Sequence, residues 1–225
     1  ENPGYDGTVR AIRAAGGVVV PCPVDRQGLV TDALPDTARL IAVTPGRQFP
    51  TGAVMPLERR LRLLEYAERY RSFVIEDDYD SEFRFRGRPI EPLKALDRSG
   101  RVVFVGTFSR TMMHDLRLGY AVLPPGLKEA FRKAKQLYEP HPTAILGQRA
   151  LAAFLNGGGY ERHLRRMRRR YMRLSERLET LLGERAGQAL SVHPNDAGLY
   201  VYAEWRGSGA AFDRFLAACA RRRLV

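Results

Sequence analysis

The run Val105-Gly106-Thr107-Phe108-Ser109-Arg110-Thr111-Met112-Met113-His114-Asp115-Leu116-Arg117-Leu118-Gly119-Tyr120 decides how the rest of this 225-residue chain is read. An apolar strand over residues 102–105 leads into hydroxylated side chains, then Arg110, then a second arginine seven positions on. From residue 118 to 123 the chain is apolar again. Strand, polar turn and strand is how α/β proteins present side chains at the carboxyl edge of a sheet, where ligands gather. Thr107, Ser109 and Arg117 all carry hydrogen-bond donors, and donors gathered at one turn suit an oxyanion such as phosphate. Taken by itself the run also reads as a β-turn with two surface arginines.

Other segments narrow that choice. Ser72-Phe73-Val74-Ile75 reads as a buried strand and ends in Glu76-Asp77-Asp78-Tyr79-Asp80-Ser81-Glu82. Glu1-Asn2-Pro3-Gly4-Tyr5 and Gln48-Phe49-Pro50-Thr51-Gly52 precede it. In this order and spacing the four segments resemble fold-type I enzymes dependent on pyridoxal 5'-phosphate, of the class I/II aminotransferase kind. More narrowly, they are similar to the aminotransferase-like domain of MocR-type regulators in the GntR superfamily. The resemblance implies an α/β fold, with a mostly parallel sheet sandwiched by helices and a partial α+β small domain. It implies pyridoxal phosphate as cofactor, with Tyr5 stacked on the pyridine face, Asp77 at the ring nitrogen and Tyr79 at the 3' oxygen. Thr107, Ser109 and Arg117 fall at the phosphate. A carboxylate beside the ring nitrogen keeps it protonated, which makes the ring an electron sink.

One departure bears on activity. The family carries, directly after the residue matching Ser109, the lysine whose amine forms a Schiff base with the cofactor; here that residue is Arg110. A guanidinium stays protonated at ordinary pH and cannot act as the amine nucleophile. The four lysines, Lys94, Lys128, Lys133 and Lys135, lie outside the matched segments. Phe49 stands where metabolic aminotransferases carry asparagine and is more like the regulators, whereas Arg47 stands where those regulators are expected to carry histidine. The expected function is therefore a pyridoxal phosphate-binding effector domain of a MocR-type transcriptional regulator, holding its cofactor noncovalently and without transaminase activity. Its alternatives are a class I/II aminotransferase, functional or degenerate, and a basic nucleic-acid-binding protein. The resemblance also implies a homodimer and an amino compound or the cofactor itself as effector.

Composition bears on the last alternative. The net charge of +12 invites nucleic acid as a partner. Only four of the 37 basic residues are lysine, however, so the excess reads as an arginine-rich composition. It concentrates in one helix, whose arginines read as a solvated face, and DNA is expected only through a domain absent from this chain. No apolar run approaches the roughly 20 residues that span a bilayer, and no signal peptide is evident, so a cytoplasmic location is expected. Cys22 and Cys219 match no metal or redox spacing and read as buried thiols. The acidic run lacks the glycine of a calcium loop, Phe83 standing in its place, and no metal is expected. Apart from Asp77 and Tyr79 that run reads as a solvated loop. His114, His141, His163 and His193 fit no ligand or triad spacing and read as turn or surface residues.

Periodicity supplies the elements. Helices are expected at residues 6–15, from Pro56 onward, at 127–137, 144–155 and 209–222; strands at 18–20, 40–43, 190–192 and 198–202. Residues 24–34 read as a loop and short helix. The helix after Pro56 is expected to bury Leu57, Leu61, Leu64 and Ala67. The longest element carries Tyr160, Leu164, Met167, Tyr171, Leu174, Leu178 and Leu181 as one apolar seam. Alternating strand and helix predicts a parallel sheet covered on both faces. The domain division is expected as 1–158 for a partial cofactor-binding domain, 159–182 for an inter-domain helix, and 183–225 for a partial small domain. The resemblance implies a glycine-rich turn before Glu1 and more strands after the last helix, so the chain reads as incomplete at both ends.

Overall fold

A computed structural model describes residues 1–140, 144–193 and 196–224. Helix α1 (Asp6–Ala14) follows the first motif, and none of its residues is buried. The expected strand at residues 18–20 does not form: Val18 is 91% exposed, and among the described residues no strand runs beside it to complete a ladder. Strands β1 (Val24–Asp25) and β2 (Gly28–Leu29) then make a short antiparallel hairpin, followed by a 3-10 turn at Thr31–Ala33.

The main sheet is built next, from β3 (Leu40–Val43), α2 (Leu57–Arg69), β4 (Phe73–Asp78), α3 (Leu93–Leu96), β5 (Val102–Thr107) and β6 (Gly119–Val122). Its order is β3-β4-β5-β6, with β3, β4 and β5 parallel and β6 antiparallel to β5. The parallel pairs need crossovers, and α2 and α3 supply them; β5 and β6 need only the turn quoted above. One face of this mixed sheet is closed. Ile41, Val43, Val74 and Val102 pack there against Leu63 and Ala67 of α2 and Leu93 of α3. Ile75, Val103 and Val105, which alternate onto the other face, are only half-buried. The two-sided cover expected from the sequence is thus complete on one side.

Helix α2 forms where expected but rolls its face. Its buried residues are Arg59, Arg60, Leu63 and Ala67, while Leu57 and Leu61 lie exposed and Leu64 packs at the core margin. The two arginines can be buried because their donors are spoken for. Arg59 makes a two-pronged pair with Asp25, with nitrogen–oxygen distances of 2.6 and 2.9 Å. Arg60 donates from Nε to the carbonyl of Met55 (2.8 Å), from Nη1 to Glu91 (2.6 Å) and from Nη2 to Pro45 (2.7 Å).

Beyond the sheet come α4 (Lys128–Tyr138), α5 (Ile145–Asn156) and the 28-residue α6 (Gly159–Ala186), which at 1.5 Å per residue is about 42 Å long. Leu164 of the expected seam is buried, and Tyr160, Met167, Tyr171 and Leu181 are half-buried. Leu174 and Leu178 are exposed. Strands β7 (Leu190–Val192) and β8 (Ala203–Trp205) pair antiparallel, and α7 (Gly209–Arg221) closes the described chain. The second strand was expected at 198–202 and forms later, because Tyr200 is drawn to the main sheet instead. Trp205 stacks on Phe215 with ring centres 5.3 Å apart.

Replacing Arg60 by methionine keeps the apolar stem but takes a donor from three carbonyls, of which that of Pro45 keeps the Met55 amide. Arg60→Met is expected to lower stability by on the order of 2–4 kcal/mol, read as a lower urea midpoint at unchanged m-value. An unmoved midpoint contradicts the structural role given to this guanidinium.

Candidate functional site

Strands β4 and β5 end side by side, with Asp77 opposite Val105 and Asp78 opposite Gly106. Asp77, Tyr79 and Thr107 therefore leave the sheet at one edge. The turn that follows folds back on itself. Thr107 pairs with Gly119, the amide of Phe108 donates to the carbonyl of Leu118 (2.9 Å), and the amide of Ser109 donates to Thr107 Oγ1 (3.1 Å). Arg117 ends a 3-10 turn in the left-handed region, at φ 49°. Thr107, Ser109 and Arg117 thus come together in one turn, and the Arg110 side chain beside them is exposed. The first turns of α6 fix this loop from behind: Tyr160 donates to Thr111 Oγ1 (3.1 Å), and His163 Nε2 lies 2.8 Å from the Thr111 carbonyl. His163 is therefore a half-buried tether rather than a surface residue, while His141 lies outside the described residues. Gly106 lets the ring of Tyr120 lie across the ladder: a β-carbon there would meet it at 2.4 Å.

The segment after β3 is organised by Gln48, which is fully buried. Its Nε2 donates to the carbonyl of Pro3 (2.9 Å), and its Oε1 accepts from Thr51 Oγ1 (2.6 Å). Glu1 Oε2 accepts from the amide and the hydroxyl of Thr44, at 3.1 and 2.7 Å. These bonds hold the first motif against the third β-strand and set the ring of Phe49 at the centre of an aromatic group. Tyr5, Tyr79 and Tyr200 lie edge-on to it, at 6.2, 6.3 and 5.8 Å. Tyr5 itself is 56% exposed and reaches the others through Phe49.

The acidic run departs most from expectation. Glu76 and Asp80 are buried, not solvated. Glu76 accepts from the amides of Leu93 and Lys94 at the start of α3 (2.8 and 2.9 Å). Asp78 accepts from the amide and hydroxyl of Ser81. Asp80 pairs with Arg47 at 3.2 Å, both side chains being almost wholly enclosed. Burial pushes the Asp80 carboxyl upward, and the Arg47 guanidinium opposes that rise. Arg47 also donates from Nη2 to the carbonyl of Tyr200 (3.0 Å) and lies 3.8 Å over that ring. Tyr79 donates to the Arg47 carbonyl (3.0 Å), and its oxygen is 2.8 Å from that of Tyr200. Gly198 permits this approach: at φ 85°, a β-carbon there would fall 2.3 Å from Arg47 Nη1.

Asp77 is the exception in the run. Among the described residues its carboxylate has neither a hydrogen-bond nor an ion-pair partner. Burial, then the nearby charge of Asp78, raises its pKa to about 6.

The aminotransferase class I and II family model matches residues 1–221. The chain belongs to that family. Membership agrees with its solved relatives. Pyrococcus horikoshii kynurenine aminotransferase, in a complex with PMP, superposes with a TM-score of 0.83 at 27% identity, over 92% of this chain and 54% of that one. LysN, the α-aminoadipate aminotransferase of Thermus thermophilus, complexed with N-(5'-phosphopyridoxyl)-L-leucine, gives 0.83 at 28% identity, over 94% and 57%. Among curated proteins, the probable rhizopine catabolism regulatory protein MocR of Rhizobium meliloti is 42% identical over 206 residues, which is 91% of this chain and 42% of that protein. The chain thus spans less than half the length of this regulator. The fold-type I architecture and the MocR-like resemblance expected from the sequence both hold, and pyridoxal phosphate is the cofactor these findings support.

Of the six residues singled out by sequence, Tyr5 and Tyr79 meet through Phe49, Thr107, Ser109 and Arg117 share one turn, and Asp77 lies at the adjoining strand end opposite Val105. Sequence reasoning missed Asp80 and Tyr200. The aspartate looked like one acid among several, and the tyrosine like a strand residue. Arg47 was visible only as a departure from histidine. Among the described residues no cluster suits a metal ion, and no helix is long and apolar enough to cross a membrane.

The raised pKa of Asp77 has a testable sign. The folded chain holds this proton more tightly than the unfolded one, so that stabilisation is fully present below pH 3.8 and is lost as pH rises toward about 6. Asp77→Asn is expected to stabilise the ligand-free chain by up to about 3 kcal/mol near pH 7.5, with the gain vanishing near pH 4. Urea midpoints across that range check it, and a pH-independent gain refutes a buried, unpartnered charge.

Proposed function

We propose that this chain is an aminotransferase-like, pyridoxal phosphate-binding effector domain of a MocR-type regulator, and that it holds the cofactor without a covalent bond. The observation that carries the reading is Asp77. A buried carboxylate with no cation beside it suits a protonated ring nitrogen, which restores the charge that burial disfavours. The donors of Thr107, Ser109 and Arg117 in the adjoining turn suit a phosphate. Pyridoxal phosphate, when bound, supplies an electron-withdrawing ring. In this proposal Asp77 keeps the proton on the ring nitrogen, and Tyr79 orients the phenol toward the ring oxygen. Tyr5 covers the face of the ring.

Arg110 sets the limit on chemistry. Its guanidinium supplies charge near the phosphate but no free amine, so the site binds and orients an amino compound without a lysine to take and return its α-proton. Binding without turnover fits an effector domain, and the 42% identity to a protein named as a catabolism regulator supports that role over metabolic transamination. The proposal includes a homodimer, a cytoplasmic location and the division at residues 158 and 182. Sequence-specific DNA recognition is assigned to a segment outside these 225 residues, in keeping with the greater length of the regulator.

Absorbance titration with pyridoxal phosphate, followed by borohydride reduction and mass spectrometry, tests this directly. The natural chain should bind reversibly and retain no cofactor mass after reduction at residue 110. Arg110→Lys should gain that mass at Lys94-independent stoichiometry of one per chain. Stoichiometric covalent labelling of the natural chain at any of its four lysines, or no binding by either form, defeats the proposal.

A further inference from the structure

The arginines of α6 are placed more tightly than a solvated face requires. At 100° per residue, Arg162, Arg165, Arg166, Arg169, Arg170, Arg173 and Arg177 fall within an arc of about 140°. The arc lies opposite the seam of Tyr160, Leu164, Met167 and Tyr171. All seven are exposed, and they cover about 22 Å of helix. Among the described residues none has a carboxylate partner; the polar contacts of Arg162 and Arg173 are to helix-end and helix carbonyls. The acid that shares the arc, Glu176, is taken by Arg86 at 2.9 Å.

Arginine-rich composition by itself does not produce this. Elsewhere some helical arginines pair with acids one turn away: Arg10 with Asp6, Arg62 with Glu58, Arg132 with Glu129. On α6 five pairs four apart are arginine with arginine: 162 with 166, 165 with 169, 166 with 170, 169 with 173, and 173 with 177. Each such like-charge pair destabilises the helix. A polyanion laid along the stripe removes that repulsion, and a mixed-charge solvated face has none to remove.

We infer that this stripe docks the phosphate backbone of duplex DNA. Its length matches about six base steps of one strand at 3.4 Å each. The arc carries no aromatic ring on which the bases of a single strand would stack, and no apolar anchor of the kind that centres protein interfaces. Guanidinium groups without base-reading geometry position DNA and do not read its sequence. The stripe therefore adds nonspecific contact and does not rest on the cofactor reading.

Fluorescence anisotropy with a labelled 30-base-pair duplex, across a salt series, tests the inference on the 225-residue chain. The variant Arg165→Gln/Arg166→Gln/Arg169→Gln/Arg170→Gln should weaken binding at least tenfold at low salt. It should also lower the slope of log affinity against log salt by about 2–4, since each phosphate neutralised contributes about 0.9. A control with the same charge change elsewhere, Arg13→Gln/Arg26→Gln/Arg98→Gln/Arg221→Gln, should keep most of the natural slope. Helix content by circular dichroism verifies that both variants fold. Equal losses in the two variants, absence of DNA binding by the natural chain, or competition by polyglutamate as effective as by duplex DNA each overturn the inference. Pyridoxal phosphate titration of both variants should be unchanged, so failure here is separable from failure of the cofactor proposal.

Discussion

An enclosed guanidinium ties the main sheet to the segment around Tyr200. Arg47 leaves the carboxyl end of β3, pairs with Asp80 beyond β4, and caps the carbonyl and ring of Tyr200, 153 residues downstream. Breaking a buried ion pair leaves a bare charge in a poorly polarisable setting, so such a pair tolerates little displacement of either partner. The segment around Gly198 is therefore pinned against the main sheet, and the β7–β8 hairpin is anchored with it. Tyr79, whose hydroxyl meets both the Arg47 carbonyl and Tyr200, inherits its position from the same knot.

The acidic run shows how one stretch serves fold and site together. Glu76 closes the start of α3, Asp78 the turn at Ser81, and Asp80 holds Arg47. Each of these carboxylates has a donor to itself. Asp77 lies between them with none, and its proton affinity rises in consequence. In the proposed reading, an ionisable group left uncompensated where its neighbours are all satisfied is where a bound group would complete the site. The family to which the chain belongs supplies a cofactor of matching charge.

Arg110 and the stripe on α6 make opposite use of the same chemistry. In the proposed site, Arg110 supplies charge and no amine nucleophile. Along the helix, repeated guanidinium groups keep charge where local pairing would normally dilute it. In the readings proposed above, both serve binding.

How much of this was legible in the chain follows from the range of the forces involved. The β5–turn–β6 unit, the helix after Pro56 and the long α6 were readable because period and turn residues act over a few positions. The motif residues were readable because four segments in order point to one family, and that order survives without any knowledge of contacts. What residue periodicity cannot carry is partnership at a distance. Residues 18–20 have a strand's composition and no neighbour, so they stay open; α2 buries Arg59 and Arg60 because Asp25 and the carbonyls of Pro45, Met55 and Glu91 meet them. Tyr200 left its expected strand because Arg47 attracts it, and Asp80 is buried because the same arginine balances it. Sequence alone determined the main sheet, the long helices and the family they belong to. The tertiary structure decided which charges are satisfied and which one is not, because desolvation and pairing depend on neighbours brought together only by folding.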